Sequence, residues 1–182
     1  LAEAQTSARD LGTVLPLEHA VDNFYFSRLW AIAQALESWD RFYASSLIGQ
    51  EIDLLNMLMV IRAKQLLLPR ERLQALLIGV RYRLKGELDS ATEAHTLREA
   101  ATALASGRYG RAVKLSSREP EVYEIEVGFK RYLAAESLKV FVSFPLQVGL
   151  LLAYLNLKLY EISDVRSVII GKMLGRSSES IR

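Results

Sequence analysis

The chain has 182 residues, of which 51% are hydrophobic and 24% are charged, so it can bury a sizeable core in one large or two small domains. It contains no cysteine, which excludes disulfide scaffolds, cysteine-ligated zinc and thiol catalysis. The formal net charge is only +2, but residues 1–60 hold three basic and eight acidic side chains, whereas residues 61–182 hold 20 basic and 13 acidic ones. Such a dipolar chain is suited to docking between charged neighbours.

The first predicted element is an amphipathic helix over about residues 17–37, where apolar side chains recur at three- and four-residue steps. Gly49 is expected to break the chain before a second helix that begins at Glu51. This second helix is apolar nearly all round over residues 54–61, so it should be the buried centre of its bundle. Pro69 fits the first turn of the next helix.

The middle of the chain contains two capping-box patterns. Residues 90–93 (SATE) and residues 96–99 (TLRE) both match it, and each predicts a helix start. Gly107 and Gly110 then bracket a predicted turn around Tyr109.

Three further features predict the helices of the C-terminal part. Pro120 opens a helix that runs to about Ser137. Residues 140–155 are nearly all apolar, but a membrane span usually needs about 20 residues, so a buried core helix opened by Pro145 is favoured. Gly175 is expected to end the last helix.

One helix occurs twice in the chain. Residues 51–64 (EIDLLNMLMVIRAK) and residues 161–172 (EISDVRSVIIGK) share their opening Glu-Ile step and are conservative elsewhere. A repeat at this separation indicates a duplicated domain. We therefore predict an all-α fold of duplicated three-to-four-helix bundles, at residues 1–115 and 116–182. The second bundle is expected to be truncated, as in a fragment of a longer protein.

The chain has few candidates for chemistry. Glu121, Glu124 and Glu126 form a carboxylate cluster, but acid–base catalysis needs opposed carboxylates across a cleft, and these lie on one short stretch. A solvated helix start explains them better. His19 and His95, the only histidines, lack metal-binding spacing, and no phosphate-binding loop motif occurs. We predict no catalytic residue, cofactor or metal site.

A basic stretch is the best candidate for binding a partner. Residues 81–118 hold eight basic and four acidic side chains. Because the overall charge is near zero and no nucleic-acid motif occurs, an acidic protein partner is favoured over nucleic acid, and a merely solvated surface is the alternative. The predicted partner-binding residues are Arg81, Arg83, Lys85, Arg108, Arg111, Lys114 and Arg118.

Several segments resemble a known family. Residues 51–56 (EIDLLN), followed by residues 62–64 (RAK), resemble the signature helix of the C subunit of archaeal and bacterial A/V-type ATP synthases, whose eukaryotic relative is the d subunit of the vacuolar proton pump. A second match covers residues 144–155 (FPLQVGLLLAYL), then Glu161 and residues 171–172 (GK). The family shows a similar proline-started helix ending in Ala-Tyr-Leu, then a Glu, then a helix with Gly-Lys.

The resemblance implies repeated helical domains, three in the full protein, and no catalysis. It implies a funnel-shaped socket that lies on the cytoplasmic face of the membrane without spanning it. One end would sit on the membrane rotor ring, and the other would hold the shaft, which is formed by the D and F subunits. Such a central-stalk protein would pass torque in proton or sodium transport. The alternative is a generic helical protein–protein adaptor unrelated to the pump.

Overall fold

The computed structural model describes residues 15–113, 115, 120–143 and 147–176. The described residues form seven α-helices and no strand, which confirms the all-α prediction. In chain order the helices are α1 (Leu15–Ala35), α2 (Ser38–Gln65), α3 (Arg70–Ala75), α4 (Gly86–Glu93), α5 (Leu97–Ala105), α6 (Val122–Phe141) and α7 (Val148–Met173).

Helix α2 is the centre of the protein, as its apolar sequence predicts. It contacts every other described helix, and Ile52, Met57, Val60 and Ile61 are fully buried. Among the described residues, α2 alone is long and apolar enough to cross a membrane by length and composition. Because 72% of that apolar window is buried inside the protein, it has the surroundings of a core helix.

The predicted break at Gly49 is wrong, because α2 runs without interruption through this residue. The chain turns instead at Ser38, which has a positive φ of 47°. Gly49 has a packing role, since the ring of Tyr82 lies directly against it, where a Cβ atom would stand. An interior glycine costs a helix only about 1 kcal/mol relative to alanine, so close packing can outweigh its helix-breaking tendency.

The two capping-box patterns have different outcomes. At the start of α5 the Glu99 amide donates to the Thr96 hydroxyl (3.1 Å), and the Thr96 amide donates to the Glu99 carboxylate (3.3 Å), which confirms that box. Residues 90–93 instead form the last turn of α4, so that prediction is wrong. The helix begins earlier, at Gly86, because Leu88 is buried in the core from its first turns.

The main core lies between α2, α4, α5 and the first half of α6. Tyr109, in the turn that Gly107 and Gly110 were expected to bracket, is buried there beside Ile125 and Phe129 of α6. Helix α1 packs on the other side of α2, where Ala33 meets Ile48 and Ile52.

Residues 140–155 do not form the predicted buried helix. Helix α6 ends at Phe141, residues 144–146, including Pro145, lie outside the described residues, and α7 begins at Val148. Helix α7 approaches the bundle through small residues: Gly149 lies against Tyr43, and Ala153 is fully buried. Of its leucines, Leu152 packs against the core, whereas Leu151, Leu155 and Leu159 are exposed. At the other end of α7, Gly175 has the positive φ (69°) of a helix stop, as predicted.

The two copies of the repeated helix lie in different surroundings. Ile52 is fully buried in α2, whereas its equivalent in α7, Ile162, is 62% exposed. Many residues of copy one are buried, whereas in copy two only Gly171 is buried. The division into two domains near residue 115 stays a prediction.

Candidate partner-binding surface

The carboxylate of Asp53 is the central polar group of the structure. It is fully buried in α2 and accepts four hydrogen bonds. The donors are the backbone amides of Tyr82 (2.9 Å), Arg83 (2.6 Å) and Leu84 (3.1 Å) and the hydroxyl of Tyr109 (2.7 Å). A buried charge is tolerated only when it is fully hydrogen-bonded, and this one is. Asp53 therefore ties two separate loops to α2.

Asn56 continues the same attachment one turn further along α2. Its side-chain amide donates to the carbonyls of Ile78 (3.1 Å) and Val80 (3.3 Å), and its oxygen accepts from the Ile78 amide (2.8 Å). The chain between α3 and α4 has no helix of its own to satisfy its backbone. Because buried backbone groups need partners, Asp53 and Asn56 together hold residues 78–84 in one conformation.

These attachments bring together the basic residues that the sequence separates. Arg81, Arg83 and Lys85 lie on the segment held by Asp53, and Arg108 and Arg111 flank Tyr109 on the turn after α5. We name these five residues the basic loop surface. The remaining predicted residues, Lys114 and Arg118, lie outside the described residues.

Electrostatics around Tyr132 of α6 support this convergence. Burial and the neighbouring Glu136 raise the pKa of the Tyr132 hydroxyl, while the charges of Arg83, Lys139 and Arg108 oppose that rise. Arg83 and Arg108 come from different loops, yet both act on this one phenol. Both arginines therefore lie near enough to Tyr132 to act on its hydroxyl.

Two members of the basic loop surface already have partners. Arg81 forms a 2.8 Å ion pair with Asp89, and both side chains are exposed, so the pair adds little stability. The guanidinium of Arg83 lies 4.7 Å from the centroid of the Tyr82 ring, a cation–π contact. These contacts orient the two side chains.

Arg108 and Arg111 are available charges of the surface. Both are exposed, and neither forms an ion pair with the described residues. Arg111 also lines a cavity of about 220 Å³ together with Glu124, Arg131 and Tyr132 of α6. An acidic group that approaches this turn would meet two arginines without displacing an existing pair.

A polar network beneath the surface stiffens it. Tyr109 packs edge-on against Tyr132 at 5.5 Å between ring centroids, and the Tyr132 hydroxyl donates to Gln50 of α2 (3.0 Å). Burial, with a further contribution from the Asp53 carboxylate, raises the pKa of Tyr109 well above its ordinary range. Tyr109 therefore remains a protonated donor to Asp53 at neutral pH.

Sequence patterns did not identify Asp53, Asn56 or Gln50 as the anchors of these loops. All three are polar residues that are buried in the central helix, and only Asn56 lies within the apolar run of residues 54–61. Buried polar residues must find partners, and apart from the bonds of Gln50 to Ser46 these partners lie 22 to 82 residues away.

The carboxylate cluster of α6 does not have the arrangement of a catalytic pair. Burial would raise the pKa of Glu126, but ion pairs with Arg62 (2.8 Å) and Lys130 (3.3 Å) lower it instead. Glu121 and Glu124 are exposed at the start of the same helix. Within the described ranges, no group of three or more His, Asp or Glu side chains could hold a metal ion.

The described residues thus form an all-helical bundle in which buried polar contacts hold two basic loops against the central helix. The chain matches the ATP synthase (C/AC39) subunit family over residues 1–182, and it belongs to this family. The predicted resemblance to the C subunit is thereby confirmed. No solved structure matches the chain significantly.

Three curated relatives are A-type ATP synthase C subunits from archaea. The protein of Methanosphaera stadtmanae is 25% identical over 179 residues, which cover 94% of this chain and 46% of the relative. That of Pyrococcus horikoshii is 25% identical, covering 79% of this chain and 40% of the relative. That of Haloferax volcanii is 26% identical, covering 100% and 52%. The chain thus spans about half the length of the curated relatives it matches.

Proposed function

We propose that the chain is a non-catalytic central-stalk subunit of a rotary A/V-type ATP synthase. In this role it couples a shaft, formed by the D and F subunits, to the membrane rotor ring during proton or sodium transport. It lies peripherally on the cytoplasmic face of the membrane. Membership of the ATP synthase (C/AC39) subunit family and three relatives named as A-type ATP synthase C subunits support this proposal.

The observation that carries the proposal is the attachment of the basic loop surface to α2 through Asp53. A protein that transmits torque must present its contacts on a rigid support, because a flexible contact would yield before the load moved. Asp53 and Asn56 fix one basic loop, and Tyr109 fixes the other, to the central helix. In our proposal the exposed arginines at 108 and 111 contact acidic residues of the shaft, whose approach they also steer.

The first experiment identifies the complex. The tagged protein is purified from mildly solubilised native membranes, and its companions are identified by mass spectrometry. Recovery of the head, shaft and ring subunits supports the coupling role. Recovery of unrelated proteins instead favours the alternative, a helical adaptor that uses the same fold outside the pump.

A second experiment tests the surface. The double variant Arg108→Glu/Arg111→Glu should bind the purified shaft at least about tenfold more weakly, since each reversal replaces an attraction by a repulsion. The matched control is Arg28→Glu/Arg72→Glu, which reverses two exposed arginines elsewhere and changes the net charge equally. Unchanged shaft affinity in the first double variant would exclude this surface as the contact.

A further inference from the structure

A small cavity lies where the turn after α5 meets α6. It has a volume of about 220 Å³, and its walls come from two parts of the chain. We name it the arginine notch, and its described lining residues are Arg111, Glu124, Val127, Gly128, Arg131 and Tyr132. The turn supplies the first of these, and the other five share one face of α6, because residues three and four apart are neighbours on a helix surface.

Close packing fixes the position of Arg111 over α6. A Cβ atom at Gly128 would overlap the carbonyl oxygen of Ala112, so the turn lies directly against the helix at the residue that follows Arg111. On the same side of α6, the Tyr132 hydroxyl donates to Gln50 of α2 (3.0 Å), which holds this wall of the notch in place. The shape of the arginine notch is therefore determined by contacts within the fold.

Two positive charges, Arg111 and Arg131, line this one cavity. Neither arginine forms an ion pair with the described residues, although Arg131 also borders a second cavity together with Asp164 of α7. Glu124 is the acidic residue of the described lining. The described lining thus has two guanidinium groups and one carboxylate, and this excess of one positive charge is complementary to a group with a single negative charge.

The size and charge of the arginine notch limit what it can hold. Pockets for cofactors usually measure about 300–1,000 Å³, so a cavity of about 220 Å³ suits a smaller group. Guanidinium groups bind both carboxylates and phosphates. A phosphate monoester carries about two negative charges near neutral pH, whereas a carboxylate carries one and so matches the lining. Val127 and the bare backbone of Gly128 offer apolar contact to the methylene groups of an acidic side chain.

We propose that the arginine notch binds one carboxylate, from an aspartate or glutamate side chain of the shaft, between Arg111 and Arg131. This inference deepens the proposed function and rests on it. It adds Arg131, a residue of α6 outside the basic loop surface, to the contact. A carboxylate held in this way contacts both the turn, which Tyr109 ties to α2, and α6, which packs on α2. Load on that carboxylate passes to the central helix by two routes.

A double-mutant cycle tests whether the two arginines share one carboxylate. Affinity for the purified shaft is measured for Arg111→Gln, for Arg131→Gln and for the double variant. Each single variant should weaken binding about tenfold. The effect of the double variant should differ from the product of the single effects by at least about twofold, because residues that share a partner are coupled. The matched control is Arg28→Gln, which removes one exposed arginine of α1 and should bind as the parent does.

A titration with sodium acetate examines the notch in the absence of the shaft. Acetate replaces chloride at constant ionic strength, and the side-chain Nε–H signals of the arginines are followed in proton–nitrogen correlation spectra. The signals of Arg111 and Arg131 should shift with one common midpoint, whereas that of Arg28 should stay in place. In the Arg131→Gln variant, the response of Arg111 should weaken, because one of the two donors to the carboxylate is gone.

The two measurements separate failure of this inference from failure of the proposed function. A parent chain that does not bind the shaft contradicts the proposed function and the shaft as the source of the carboxylate, and the acetate titration then decides whether the notch binds a carboxylate. Unchanged shaft binding in Arg131→Gln, or single effects that simply multiply in the double variant, overturns the shared carboxylate. An acetate response combined with shaft binding that neither arginine affects assigns the notch to a free small carboxylate instead.

Discussion

The hydroxyl of Tyr109 donates a 2.7 Å hydrogen bond to the carboxylate of Asp53, across 56 residues of sequence. The same carboxylate oxygen accepts the backbone amide of Arg83, so one atom joins the central helix to both basic loops. The position of the arginines at the surface thus depends on a group that is itself inaccessible to any partner.

Replacing Asp53 should therefore be among the most destabilising single changes in the chain. The Asp53→Ala variant leaves three backbone amides and the Tyr109 hydroxyl without their acceptor, and breaking a buried charged network costs about 3–5 kcal/mol. Urea unfolding followed by circular dichroism measures the loss. The control Asp89→Ala removes an exposed pair with Arg81 and should cost less than about 1 kcal/mol. A similar loss for both variants would contradict the role of Asp53 as an anchor.

Gly49 is expected to tolerate no side chain, although alanine favours helices. In Gly49→Ala the new methyl group would overlap the ring of Tyr82, which also packs edge-on against Trp30 at 5.7 Å. Overpacking of this kind costs about 1–3 kcal/mol, which exceeds the helix-propensity gain of up to about 1 kcal/mol. Gly79→Ala is the control, because a Cβ atom there meets nothing within 4 Å. Thermal unfolding followed by tryptophan fluorescence compares the two variants. A more stable Gly49→Ala variant would refute the packing role.

Two glutamates should change stability with pH in opposite directions. Burial raises the pKa of Glu51, so the folded protein is more stable when Glu51 is protonated. This contribution to stability is lost as pH rises through the folded pKa. Glu51→Gln should hence be more stable than the parent at pH 7, and the gain should vanish below the ordinary glutamate pKa of about 4.3.

The opposite sign applies to Glu126, whose pKa is lowered by Arg62 and Lys130 against the effect of burial. Its contribution is present above the unfolded pKa and is lost as pH falls through the folded pKa. Glu126→Gln should therefore be less stable than the parent at pH 7, and the difference should shrink in acid. Denaturant unfolding of both variants between pH 3 and pH 7 provides the measurement, and curves of the same sign would disprove this assignment.

The two capping-box patterns should differ under the same substitution. Thr96→Ala removes the acceptor for the Glu99 amide at the start of α5 and should cost about 1 kcal/mol. Ser90 lies inside α4, where Ser90→Ala removes no cap and should leave stability unchanged within about 0.5 kcal/mol. Equal losses of stability in urea unfolding would mean that the contribution of the motif does not depend on its position in the helix.

The sequence alone was sufficient for the helical class, the family and the buried run of residues 54–61. These features depend on local patterns, because apolar spacing and composition are properties of neighbouring residues. Sequence patterns also identified the five residues that make up the basic loop surface. Their role in binding stays a prediction.

Only the tertiary structure decided what Asp53 and Gly49 do and which side of α7 is covered. Asp53 finds its partners 29 to 56 residues away, and Gly49 is required by an aromatic ring from another segment. The two copies of the repeated helix have related sequences, yet Ile52 is buried and Ile162 is exposed. A helical pattern determines that an apolar side exists, but burial depends on which distant segments pack against it, and that is a property of the whole fold.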